Sequence, residues 1–132
     1  MAAGNIVNDI MDSSIDADAH PSRPIPSGRI NRSAAKLVAG ALWIVSLLLM
    51  GISANVLKGT ADLWWGVILI WFIAAILMLS YDLGPRTKQR GLIGNVAISL
   101  MVGMVIIFGA ASVGMIFLPL IWLVGATSFF IN

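Results

Sequence analysis

The 132-residue chain predicts an all-α membrane protein with four transmembrane helices. Three observations carry that reading. Hydrophobic residues make up 59% of the chain and charged residues 11%, against roughly a half and a quarter in ordinary soluble domains. The mean hydropathy is +0.96. The charges are also segregated: no Asp, Glu, Lys or Arg lies between Val38 and Leu57, between Leu63 and Tyr81, or from Gly91 to Asn132.

A spanning helix needs about 20 apolar residues, so the first two charge-free runs each hold one span. The third run holds two, divided near Ser112 to Gly114 in "GAASVGMIFLP". Spans are expected at 37–57, 63–81, 92–112 and 115–131. Residues 1–36 then form the end of a helix followed by a Pro/Arg loop, and residues 37–132 hold the four spans. Asp62 is placed to cap the second span, and Lys58 to snorkel at the membrane edge. The glycines at 103, 109 and 114 and the seven methionines are expected in helix packing.

Composition excludes several functions. A net charge of +2 is too small to imply a nucleic-acid partner. Without cysteine there is neither a disulfide nor a thiolate metal site. The first residues lack the basic-then-apolar pattern of a secretory signal. The basic residues are unevenly placed: Arg23, Arg29, Arg32 and Lys36 precede the first span, and Arg86, Lys88 and Arg90 follow the second. Lys58 alone falls on the opposite side, with Trp64 and Trp65. Basic loops mark the cytoplasmic face and aromatic rings favour the interfaces. The expectation is therefore an integral protein of the cell membrane, surrounded by lipid, with its acidic and basic loops on the cytoplasmic side.

The acidic residues are concentrated in "NDIMDSSIDADAHPSRPIPSGRI", residues 8–30. On a helix, residues four apart are about 40° apart, so Asn8, Asp12 and Asp16 share a stripe. Asp9 stands one step round, and Asp18 points away. Like charges at that spacing repel, and a divalent cation would remove the repulsion. Carboxylates with an amide, and no sulfur, suit Mg²⁺, which completes its shell with water and substrate phosphate. Arg23, Arg29, Arg86, Lys88 and Arg90 are cations for such an anion. The prolines at 21, 24 and 26 stiffen the loop that carries Arg23 and Arg29. The plainer reading is a solvated helix end and an ordinary linker.

This stretch resembles the first aspartate-rich motif of the UbiA superfamily of intramembrane prenyltransferases. The family motif N-D-x-x-D-x-x-x-D is matched by Asn8, Asp9, Asp12 and Asp16, and the following R-P-I-P-S-G by Arg23 to Gly28. In "YDLGPRTKQRGLIGN", Tyr81, Lys88, Gly94 and Asn95 resemble the family's tyrosine, basic loop and Gly-Asn helix start, with Asp82 where a serine is usual. The motif is most similar to that of archaeal enzymes that attach a geranylgeranyl chain to geranylgeranylglyceryl phosphate.

The resemblance implies Mg²⁺-dependent transfer of a geranylgeranyl-type prenyl group from its diphosphate to a lipid or aromatic acceptor, such as a prenylglyceryl phosphate. Asn8, Asp9, Asp12 and Asp16 would hold metal, with Asp12 and Asp16 catalytic. Arg23, Tyr81, Arg86, Lys88 and Asn95 would contact substrate. It also implies that the four spans are part of a larger UbiA-type bundle of about nine. A second aspartate-rich motif is expected after the last span, so the chain is expected to be a fragment that is inactive alone. The competing expectation is a non-enzymatic four-span subunit or assembly protein with an acidic cytoplasmic patch.

Overall fold

The fold is all-helical among the residues described by this computed structural model, which are 2–59, 64–83 and 87–131. Its elements are α1 (Ala2–Ala19), α2 (Arg32–Leu57), α3 (Trp64–Asp82), a short 3₁₀ turn (Thr87–Gln89), α4 (Leu92–Ala111) and α5 (Pro119–Ile131). The chain divides into two compact units, residues 1–47 and 48–132. Helix α2 contributes to both.

In the first unit, α1 ends where sequence chemistry requires. The His20 N–H closes the last turn on the Asp16 carbonyl at 2.8 Å, and Pro21 disfavours helical backbone at the residue before it. The loop that follows is a series of turns. Arg23 N–H donates to His20 O at 3.0 Å, Ser27 N–H to Arg23 O at 3.0 Å, and Ile30 N–H to Pro24 O at 2.9 Å. Gly28 takes φ 74°, a conformation that glycine adopts without steric cost. Helix α2 opens on a side-chain cap: Asn31 Oδ1 accepts the Ser33 N–H at 2.8 Å, satisfying one of the donors left over at a helix start. For this reason α2 starts at Arg32, five residues before the expected span. Ala35 and Ala39, one turn apart, are buried.

In the second unit, a cluster of Met50, Leu57, Val67, Ile70 and Ala111 joins the end of α2 to α3 and α4, with Trp64, Trp71, Ile107 and Phe108 packed around it. Val67 is fully buried. Ser53 Oγ donates to the Ser112 carbonyl at 3.4 Å, giving that helix end a partner. Lys58 Nζ lies 5.6 Å from the centre of the Trp64 ring, so its charge rests on an aromatic face. Asp62, the expected cap of the second span, lies outside the described residues.

Among the described residues three helices, α2, α3 and α4, are long and apolar enough to cross a membrane. The fourth expected span, 115–131, corresponds to α5, which begins only at Pro119. The reason lies in the connection. Gly114 N–H donates to Ala111 O at 3.1 Å and Met115 N–H to Ala110 O at 2.8 Å, with Gly114 at φ 74°. These are the two bonds of a Schellman stop. Turns continue to Pro119, so the expected start of the last span at 115 is not helical. Helices α4 and α5 then meet backbone to backbone: a Cβ on Gly103 would lie 3.0 Å from the Gly125 carbonyl oxygen. Small residues permit such an approach between membrane helices.

Candidate functional site

Helix α1 carries the acidic stripe. Asn8, Asp9 and Asp12 are half-buried, Asp16 is buried and Asp18 is exposed. Asp16 is held by an arginine. Its Oδ2 accepts Arg23 Nη1 at 2.7 Å, and its side chain is 7% exposed against 44% for Arg23. The same guanidinium nitrogen lies 4.0 Å from Asp9 Oδ1. A buried carboxylate needs such a partner, because losing water is costly to a charge.

The turns of the 20–31 loop explain how Arg23 arrives there. Pro21 and Pro24 flank it closely, and Arg29 pins the loop on itself by donating to the Ser22 carbonyl and to Ser27 Oγ at 3.1 Å. Arg32 donates to the Ile10 carbonyl at 3.2 Å. Two arginines thus fasten the loop and the start of α2 to α1, one through Asp16 and one through the backbone. His20 is exposed.

The oxygen donors fit magnesium chemistry to a limited extent. Asn8 and Asp12 are one helical turn apart and only partly covered, and Mg²⁺ needs one or two carboxylates beside water and phosphate. Among the described residues no group of three acidic, histidine or cysteine side chains is close enough together to hold a metal ion. Protein ligation from this helix would therefore be sparse, with Arg23 already on Asp16.

In the second unit the expected substrate residues lie on different elements. Tyr81 is half-buried in the last turn of α3, and Asn95 is exposed in the first turn of α4. Arg86 lies outside the described residues. Lys88 sits in the 3₁₀ turn, which packs against both α3 and α4. Its Nζ donates to Asp82 Oδ1 at 3.0 Å, with side chains 12% and 4% exposed. Residue spacing did not single out Asp82. Its signal was an acid at the end of an apolar helix, where the helix dipole disfavours negative charge.

A family model described as the UbiA prenyltransferase family matches residues 1–132. The chain belongs to the UbiA prenyltransferase family. Curated relatives are named digeranylgeranylglyceryl phosphate synthase. That of Methanoregula boonei is 36% identical over 113 residues, 86% of this chain and 36% of the relative. That of Methanothermobacter thermautotrophicus is 38% identical over 112 residues, 85% of this chain and 36% of the relative. That of Methanopyrus kandleri is 34% identical over 122 residues, 92% of this chain and 40% of the relative. The chain thus spans little more than a third of the length of these UbiA-family relatives. No solved structure matches it.

Proposed function

We propose that this chain is the part of a UbiA-type prenyltransferase that carries the first diphosphate-binding motif. The protein it serves would transfer a geranylgeranyl-type group from its diphosphate to a hydrophobic acceptor such as a prenylglyceryl phosphate. The observation that carries the reading is the match of at least 85% of the chain to digeranylgeranylglyceryl phosphate synthases at 36–38% identity. No comparable support exists for a non-enzymatic four-span subunit.

The residues divide the work by charge and burial. Asn8, Asp9 and Asp12 would hold Mg²⁺, which would supply Lewis-acid stabilisation of the departing diphosphate. Asp16, with one carboxylate oxygen on Arg23, adds negative charge to that stripe and fixes the arginine. Arg23, 44% exposed, presents a planar fork suited to phosphate oxygens. Lys88 offers a point charge at the end of α3, and Arg86, Tyr81 and Asn95 are further proposed contacts. Fixed charges aimed where charge develops lower the barrier because they need no reorganisation during reaction. The stripe and the basic loops are proposed to lie at the cytoplasmic face of the cell membrane.

The test is product formation. Membranes containing the full-length protein that includes this segment are supplied with radiolabelled geranylgeranyl diphosphate and geranylgeranylglyceryl phosphate. Labelled digeranylgeranylglyceryl phosphate is the expected product. Labelling of an aromatic acceptor alone would redirect the acceptor assignment, and labelling of neither acceptor would contradict the reading.

A further inference from the structure

Asp82 is the last residue of α3 and is 3% exposed. Both facts oppose a carboxylate. The carbonyl end of a helix repels negative charge, and burial removes the water that would stabilise it. Its tolerance comes from Lys88, whose ammonium lies 3.0 Å from Oδ1.

Stability does not explain the pair. A buried ion pair is typically no better for folding than apolar side chains of similar size, because desolvation offsets the attraction. Nor is Asp82 needed to attract a cation to this place, since the end of α3 already favours one. What Asp82 adds is position. A lysine ammonium ends a flexible stem with four carbons and three donors. Six residues separate the two partners, and on a continued helix they would point to different sides. The 3₁₀ turn at Thr87–Gln89 ends that regularity and packs on α3 and α4. Lys88 is thereby returned to the end of α3, and Asp82 takes one of its donors in a fixed direction.

We propose that Asp82 is a positioning residue: it holds the Lys88 ammonium at the junction of α3, the 3₁₀ turn and α4 for contact with the substrate diphosphate. This rests on the prenyl-diphosphate reading above. Asp82 does not touch the substrate. It acts through Lys88, and its loss is felt as loss of anion binding.

The experiment is calorimetric titration of inorganic pyrophosphate with Mg²⁺ into the full-length protein in detergent, beside thermal unfolding and steady-state kinetics. Asp82→Asn is expected to weaken pyrophosphate binding about tenfold, the usual effect of losing a group that orients a ligand. KM for the prenyl diphosphate should rise and kcat should fall, because the Lys88 charge also faces the charge that develops on the departing diphosphate. In Lys88→Met, adding Asp82→Asn should weaken binding no further. With Lys88 present, Asp82→Glu should keep most of the affinity that Asp82→Asn loses. If Asp82→Asn does not fold, Asp82→Ser keeps a hydroxyl for the ammonium without the charge and is expected to show the same weakening. Normal pyrophosphate affinity with a lowered melting temperature would make the pair a structural staple and overturn the proposal, as would additive losses in the double variant. Absence of pyrophosphate binding in the wild type would overturn the functional reading together with the inference.

Discussion

Arg23 Nη1 donates to Asp16 Oδ2 at 2.7 Å, from an exposed loop side chain to a buried carboxylate. The two partners are unequal, and that makes their loss unequal. In Arg23→Ala the carboxylate stays buried without its cation. In Asp16→Asn the guanidinium can turn to water. Arg23→Ala is therefore expected to destabilise by about 2–3 kcal/mol and Asp16→Asn by about 1 kcal/mol, the range for hydrogen bonds to charged groups and for their stranded partners. Reversible unfolding of the protein in mixed micelles measures both. Equal losses would mean that Asp16 finds another partner.

The crossing of α4 and α5 gives a second prediction. A Cβ on Gly103 would meet the Gly125 backbone at 3.0 Å, whereas one on Gly109 meets nothing within 4 Å. Gly103→Ala must push the helices apart and is expected to cost about 1–3 kcal/mol, as overpacking does. Gly109→Ala should be neutral or slightly stabilising, because alanine favours helix. Melting temperatures of the two variants in detergent decide the point. Equal behaviour would remove the close crossing.

The start of α2 gives a third. Asn31→Ala removes the acceptor for Ser33 N–H and is expected to destabilise that helix end by about 1 kcal/mol. Hydrogen exchange should quicken at Ser33 and its neighbours and remain unchanged at Ala39. Uniform quickening along α2 would indicate a global effect instead.

Legibility in the sequence followed the physics of each feature. The charge-free runs gave α3 and α4 within one residue, since lipid demands an unbroken apolar stretch. Hydropathy placed the first span at 37–57 because Arg32 and Lys36 interrupt it, yet α2 begins with the local cap at Asn31. The last span was read too long for the opposite reason. The break near Ser112 to Gly114 was legible and coincides with the Schellman stop, but "MIFLP" is as apolar as a helix, so hydropathy does not register the turns that run to Pro119. The i+4 spacing gave the stripe on α1. It did not give Arg23 as the partner of Asp16, because that contact depends on the path of the proline loop. The Asp82–Lys88 pair was missed because a separation of six is not a helical neighbour distance, and Lys88 lies in a 3₁₀ turn outside α3.

The central claim is that the α1 stripe is a directed metal-diphosphate site rather than a patch of negative charge. It is tested most directly by Mg²⁺-dependent binding of radiolabelled geranylgeranyl diphosphate to the full-length protein, comparing Asp12→Ala with Asp18→Ala. Asp12 lies on the stripe and is half-buried, and Asp18 is exposed outside it. Binding is expected to require Mg²⁺, to fall by at least about tenfold in Asp12→Ala, equivalent to about 1.4 kcal/mol, and to stay within about twofold of wild type in Asp18→Ala. Equal loss in both variants, or full binding in the presence of a chelator, would contradict it.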